Sequence, residues 1–239
     1  MKILLTNDDG IDAAGLDALF ESVSLAFDHS AQVVVVAPDR GRSECGHSVT
    51  TGRPLTFQQR KADWFSLDGT PVDCVRAALA SLAPEVDLVV SGVNAGANLG
   101  VDLLVSGTFA AAREAAMHGI PAMAVSHYRR PDVPVTWDHV PNWLAETLVE
   151  FANKIAGDAD QDDAALWNVN LPAIDPLLPP PPRVRCGVDS QPLVRKAKNV
   201  GETLYLESNF HGRPRQAGCD VELCFSGQMT ISELPARLG

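Results

Sequence analysis

Ile3-Leu4-Leu5-Thr6-Asn7-Asp8-Asp9-Gly10 is an apolar run closed at once by an amide, two carboxylates and a glycine. A short apolar run bounded by turn residues reads as a buried strand, here Lys2–Thr6, from which the chain leaves the sheet at Asn7. The helical pattern over 15–27 and a second apolar run over 32–37 complete the opening of a βαβ unit. Further on, 53–67 reads as an extra hairpin or loop and 71–82 as a helix. The almost wholly apolar run 86–90 suits a strand covered on both faces. A Gly/Asn-rich loop is expected over 91–106, then a helix over 108–118, a strand over 122–126, a helix over 140–155 and a strand over 165–170. The fold class this predicts is α/β, a doubly wound, mostly parallel, Rossmann-like sheet in three layers.

After Leu171 the character changes: prolines fill 179–182, and the rest is polar, glycine-punctuated and without a helical period. The expected organisation is a catalytic core over 1–171 and a β-rich carboxyl-terminal extension over 172–239, made of strands and loops, that rims the active site and contacts other subunits.

Composition narrows the function. A hydrophobic share of 46% in 239 residues is ample for a core, and 30 acidic against 19 basic residues leave a net charge of −11. That field repels a nucleic-acid polymer, so an anionic ligand has to be small and held by local chemistry. The five cysteines form no C-x-x-C pair, which favours reduced thiols in the cytoplasm. The amino-terminal apolar run is too short for a signal peptide and no later stretch reaches membrane-spanning length, so a soluble, unprocessed chain without a membrane partner is expected.

In a parallel α/β sheet, ligands bind beyond the carboxyl ends of the strands, so the residues following each strand carry the chemistry. After the first strand, Asp8 and Asp9 place two mutually repelling carboxylates in one partly buried mouth, an arrangement a divalent cation relieves. A single Asp there would read as a helix cap or turn residue. After the second strand comes Pro38-Asp39-Arg40-Gly41-Arg42-Ser43, whose hydroxyl can join the ligand set while its arginines, taken alone, read as solvated. His47 and Cys45 nearby read as surface or supporting residues.

The third loop runs from Ser91 through Asn94 and Asn98 to Gly100, with backbone N–H groups and amides able to approach a ligand. Ser106-Gly107-Thr108 then opens the next helix, whose amino terminus is an anion site; ordinary capping by Ser106 is the competing reading. Carboxylate, hydroxyl and amide oxygens suit Mg²⁺ or Mn²⁺ far better than zinc. Such an ion polarises a phosphoryl oxygen and activates a water for attack on phosphorus.

Read together, these residues resemble the stationary-phase survival protein family, the SurE nucleotidases. The likeness runs through 3–10, 36–43, Leu67-Asp68-Gly69-Thr70-Pro71-Val72-Asp73-Cys74-Val75, 87–100 and Ser106-Gly107-Thr108, in one order. The resemblance implies a metal-dependent phosphatase of nucleoside 5′- and 3′-monophosphates, cytoplasmic and a homodimer or homotetramer. It places metal ligands on Asp8, Asp9, Ser43 and Asn94, with Asp8, Asp9 and Asn94 catalytic. It places phosphate contacts on Asn98, Ser106, Gly107 and Thr108. Departures from the family are Val105 where a tyrosine is usual, Ala14 for a proline, Gly218-Cys219-Asp220 for Gly-Thr-Asp, and an altered closing motif over 229–235.

Two other classes make demands on the sequence that it does not meet. A receiver-like signalling domain also opens on an acidic pair, but it needs an aspartate ending its third strand and a lysine ending its fifth. The run over 87–90 ends in Ser91, and no lysine lies between Lys61 and Lys154. A non-catalytic nucleotide-binding module would be supported by G-x-G-x-x-G after the first strand, which is absent. Asn7-Asp8-Asp9-Gly10-Ile11 also breaks the D-x-D-x-T spacing of aspartyl-nucleophile phosphatases, which leaves direct attack by water.

Overall fold

The computed structural model describes residues 1–43, 45–157, 164–194, 196–207 and 209–236. Alternation along the first strand, β1 (Lys2–Thr6), sends Ile3 and Leu5 to one face of a sheet and Leu4 to the other, all three fully buried. The face of Ile3 and Leu5 is covered by α1 (Ala14–Ala26) and α4 (Val140–Gly157) through Leu16, Leu19, Leu144 and Phe151. The face of Leu4 is covered by α2 (Pro71–Ala77) and the alanine-rich α3 (Gly107–Met117). Each fully buried Leu contributes about 2–3 kcal/mol, and this two-sided burial produces the three layers.

The other strands are β2 (Gln32–Pro38), β3 (Phe57–Lys61), β4 (Trp64–Leu67), β5 (Leu88–Asn94), β6 (Ala122–His127), β7 (Leu166–Leu171), β8 (Arg183–Arg185), β9 (Lys196–Val200), β10 (Thr203–Glu207) and β11 (Met229–Leu234). Among the described residues nine of them form one sheet, in the order β3-β4-β2-β1-β5-β6-β7-β11-β8. The central run from β4 to β7 is parallel, and β3 and β11 pair antiparallel to β4 and β7. The chain winds from β1 outward to β2 and returns to β5 on β1's other side. The switch point therefore lies between β1 and β5, above Thr6 and Ser91, which are register partners. No helix among the described residues is long and apolar enough to cross a membrane.

The structure differs from the sequence expectation in three places. The loop expected from Ser91 begins later, because Ser91 to Asn94 continue β5 and pair with Ala124 and Ser126 of β6. Gly92 permits this at φ +141°, since a β-carbon there would strike the Val125 carbonyl. Gly100–Val105, expected as loop, is a 3-10 turn. Beyond Leu171 the chain includes a helix, α5 (Asp220–Phe225), besides strands, and β11 and β8 add to the main sheet while β9 and β10 form a separate hairpin.

Candidate metal and phosphate site

Asn7 shapes the exit from β1. Its side-chain amide donates to the Gly10 carbonyl over 2.8 Å, and its Oδ1 accepts the Gly10 N–H over 3.2 Å. Gly10 has φ +104°, and a β-carbon would lie 2.9 Å from the Arg40 carbonyl carbon, so only glycine lets the two loops touch. Their backbones are joined by Ile11 N–H to the Pro38 carbonyl at 2.8 Å and Arg42 N–H to the Asp8 carbonyl at 2.6 Å. Ser43, the next residue, is carried to the rim of this junction with an exposed side chain. Arg40 is solvated, whereas Arg42 is half-buried and its Nη2 donates to Asp39 over 3.1 Å.

Asp8 is 3% exposed. Its Oδ1 accepts the Thr108 hydroxyl at 2.6 Å. Gly107 comes so close that a β-carbon there would lie 3.0 Å from Asp8 Oδ2. Glycine at the first residue of α3 thus lets the helix amino terminus rest on the carboxylate. Burial pushes the Asp8 pKa up to about 6, against the Thr108 bond that lowers it and with the Asp9 charge adding to the rise. Asp9 is only partly buried, and its Oδ2 accepts the Ala95 N–H at 3.0 Å, which links the β1 exit to the β5 exit. Asn94, the last residue of β5, turns its Nδ2 to the Gly96 carbonyl at 2.8 Å. Its Oδ1 is thereby the end directed to other partners.

Asp8, Asp9 and Asn94 are therefore brought together at the switch point, with Ser43 on the adjoining loop. Among the described residues no cluster of three or more His, Cys, Asp or Glu side chains could hold a metal ion. The donor set is two carboxylates with amide and hydroxyl oxygens, and it contains no nitrogen or sulfur ligand. Burial disfavours the charged form of Asp8, and a cation bound beside it would offset that cost. These residues fit a hard divalent cation.

The phosphate-side residues are placed differently. Ser106 caps α3, its Oγ accepting the Phe109 N–H at 3.0 Å, as the capping reading expects. The Thr108 hydroxyl is committed to Asp8. What these residues present to a ligand is the helix amino terminus itself. Asn98 lies across the ends of β6 and β7, donating from Nδ2 to Ser126 Oγ at 2.8 Å and from its N–H to Asn170 Oδ1 at 2.9 Å.

Sequence reasoning missed two supports. Glu114, 1% exposed on α3, accepts from Arg76 Nε at 2.5 Å, His47 Nε2 at 2.9 Å and His118 Nε2 at 3.1 Å. His47 is thus a supporting residue that ties the Ser43 loop to α3, as its supporting reading expects. Asp220 of α5 holds the Asn98 turn and was seen only as part of an altered family motif. The sole advance signal for Glu114 was an acidic residue within an otherwise apolar helical stripe.

A family model described as "Survival protein SurE" matches residues 3–185. A chain from Nostoc sp. (strain PCC 7120) is 42% identical over 98% of this chain and 99% of its own length. The "5'-nucleotidase SurE" of Geobacter sp. (strain M21) is 45% identical over 75% of this chain and 70% of its own length. The crystal structure of the SurE protein from Aquifex aeolicus superposes with a TM-score of 0.79 at 29% identity, covering 100% of this chain and 95% of that one.

Proposed function

The chain belongs to the SurE survival-protein family, and from that premise we propose that it is a metal-dependent phosphomonoesterase that hydrolyses nucleoside 5′- and 3′-monophosphates to nucleoside and phosphate. The observation that carries the reading is the buried Asp8 carboxylate, set beside Asp9 and Asn94 and under the amino terminus of α3. Asp8, Asp9, Ser43 and Asn94 would hold a divalent cation, Mg²⁺ or Mn²⁺. When bound, the cation supplies Lewis-acid polarisation of a phosphoryl oxygen and a water of lowered pKa.

The chain's own residues supply the rest. Thr108 fixes the Asp8 carboxylate in one rotamer, and Ala95 does the same for Asp9. The N–H groups at Ser106-Gly107-Thr108 and the Asn98 side chain receive the phosphate oxygens, whose charge the helix terminus favours. Expulsion of water from this mouth strengthens each of those interactions.

The part over 1–171 carries this chemistry in our reading, and the part over 172–239 serves as rim and as the contact of a homodimer or homotetramer. Five free cysteines support a reducing, cytoplasmic setting.

The test is phosphate release from a panel of nucleoside monophosphates with Mg²⁺, Mn²⁺ or excess chelator. We expect turnover with a metal and none with chelator. Equal rates with and without chelator would refute the reading.

A further inference from the structure

Asn98 to Gly100 form a turn gripped from two sides. On the sheet side, Asn168 and Asn170 both donate side-chain N–H groups to the Asn98 carbonyl at 3.0 Å. On the other side, Gly100 donates its N–H to Asp220 Oδ2 at 2.8 Å, across 120 residues of chain. Asp220 is fully buried, and its Oδ1 accepts the N–H groups of Asp189 and Val221, each at 2.8 Å. Asp189 in turn accepts the N–H groups of Gln191 at 2.8 Å and Gln216 at 2.7 Å.

Two further contacts close the grip. Arg213, 7% exposed, is ion-paired with Asp102 just past the turn. Gly100 has φ +57°, and a β-carbon there would lie 3.0 Å from the Asp189 carbonyl oxygen and 3.3 Å from Arg213 Nη2. Leu99, between the two bonded residues, is fully buried with Tyr128, Val221 and Cys224. Asp8, Asp9 and Asn94 make none of these bonds among the described residues.

We infer that Asp220 and Arg213 are positioning residues: from the carboxyl-terminal segment they hold the Asn98–Gly100 turn where it receives the substrate's phosphate. The inference rests on the phosphatase reading for what the turn binds. Its distinctive consequence is a division of labour, in which loosening this grip weakens substrate binding and leaves the metal ligands in place.

Asp220→Asn is nearly isosteric but replaces one acceptor oxygen by an N–H donor, which then faces an N–H group of Gly100 or of Asp189 and Val221. Arg213→Met removes the ion pair while keeping much of the stem volume. Gly100→Ala displaces the turn from its own side, with both clamping residues intact. For each variant, KM and kcat for a nucleoside monophosphate, Mn²⁺ and orthophosphate affinity by titration calorimetry, and amide exchange over 98–102 are measured against wild type.

The expected result is faster exchange over 98–102, KM raised at least about tenfold, and kcat and Mn²⁺ affinity within about twofold of wild type. Unchanged KM and unchanged exchange in folded Asp220→Asn would overturn the inference, as would Mn²⁺ affinity falling in step with KM. If Asp220→Asn does not fold, Arg213→Met and Gly100→Ala decide by the same criteria. A wild-type protein that releases no phosphate defeats the phosphatase reading, whereas unchanged exchange and orthophosphate affinity in the variants defeat the positioning claim; the two failures are separately visible.

Discussion

The Thr108 hydroxyl donates to Oδ1 of Asp8 over 2.6 Å, joining the first turn of α3 to the exit of β1 across 100 residues of sequence. It orients the carboxylate before any ligand arrives. Thr108→Val should lower Mn²⁺ affinity by about 10–100-fold, and Thr108→Ser should keep it near wild type. Titration calorimetry on both variants checks this.

Asp8→Asn should cut turnover by more than about 100-fold, since it removes a charged ligand. It should also stabilise the metal-free protein. The folded pKa of Asp8 is about 6 against an ordinary value of 3.8, so between those pH values the folded chain holds a proton that the unfolded chain has lost. Metal-free stability therefore falls as pH rises from about 4 to about 6 and stays reduced above that. Asparagine has no such titration, so at pH 7 in chelator the variant should gain about 3 kcal/mol in urea unfolding. No gain would mean that Asp8 is not a desolvated charge.

His127 and His139 carry an opposite dependence. His127 bonds the Tyr128 carbonyl through Nδ1 at 2.8 Å and meets His139 Nε2 through its own Nε2 at 2.8 Å, so a proton on Nδ1 leaves Nε2 as the acceptor. Burial, with the Arg129 charge nearby, lowers His127 to about 3 and His139 to about 4. Below pH 6.5 the unfolded chain gains protons the folded chain refuses, so their contribution to stability is lost as pH falls from 6.5 toward those values, by about 1.4 kcal/mol per pH unit for each histidine. Replacing His139 by Phe should flatten the acid limb of stability against pH; an unchanged slope would show that the pair is already protonated in the fold.

Glu114→Gln should destabilise the protein by about 1.5–3 kcal/mol, because the charged acceptor shared by Arg76, His47 and His118 becomes a neutral amide with one acceptor oxygen. Amide exchange over 45–48 should quicken, since His47 is then held to α3 chiefly through Arg113. Denaturant unfolding and exchange together check the prediction, and a stability change below about 0.5 kcal/mol would contradict it.

Much of the sheet was legible because β1, β2 and β6 carry continuous apolar runs ended by polar residues, and β7 alternates Trp167, Val169 and Leu171 with Asn168 and Asn170. The extension of β5 to Asn94 was not, because Ser91 to Asn94 carry no apolar pattern and are held as strand by pairing to β6, with Ser91 also paired to Thr6 of β1. The ends β8 and β11 were hidden for the same reason: their pairing partners lie far away in sequence. The gathering of Asp8, Asp9 and Asn94 was readable from strand ends alone, since topology brings those exits together at the switch point. The bonds that orient them were not, because Thr108, Ala95 and Asp220 act through single long-range contacts that leave no periodic trace.

In the proposed function Asp8, Asp9 and Asn94 together grip one divalent cation, which anomalous diffraction from a crystal soaked in Mn²⁺ would reveal. One strong peak is expected about 2.1–2.3 Å from oxygens of all three side chains. Ordered, outward-turned carboxylates with no peak between them, in a crystal that binds Mn²⁺ elsewhere, would contradict it.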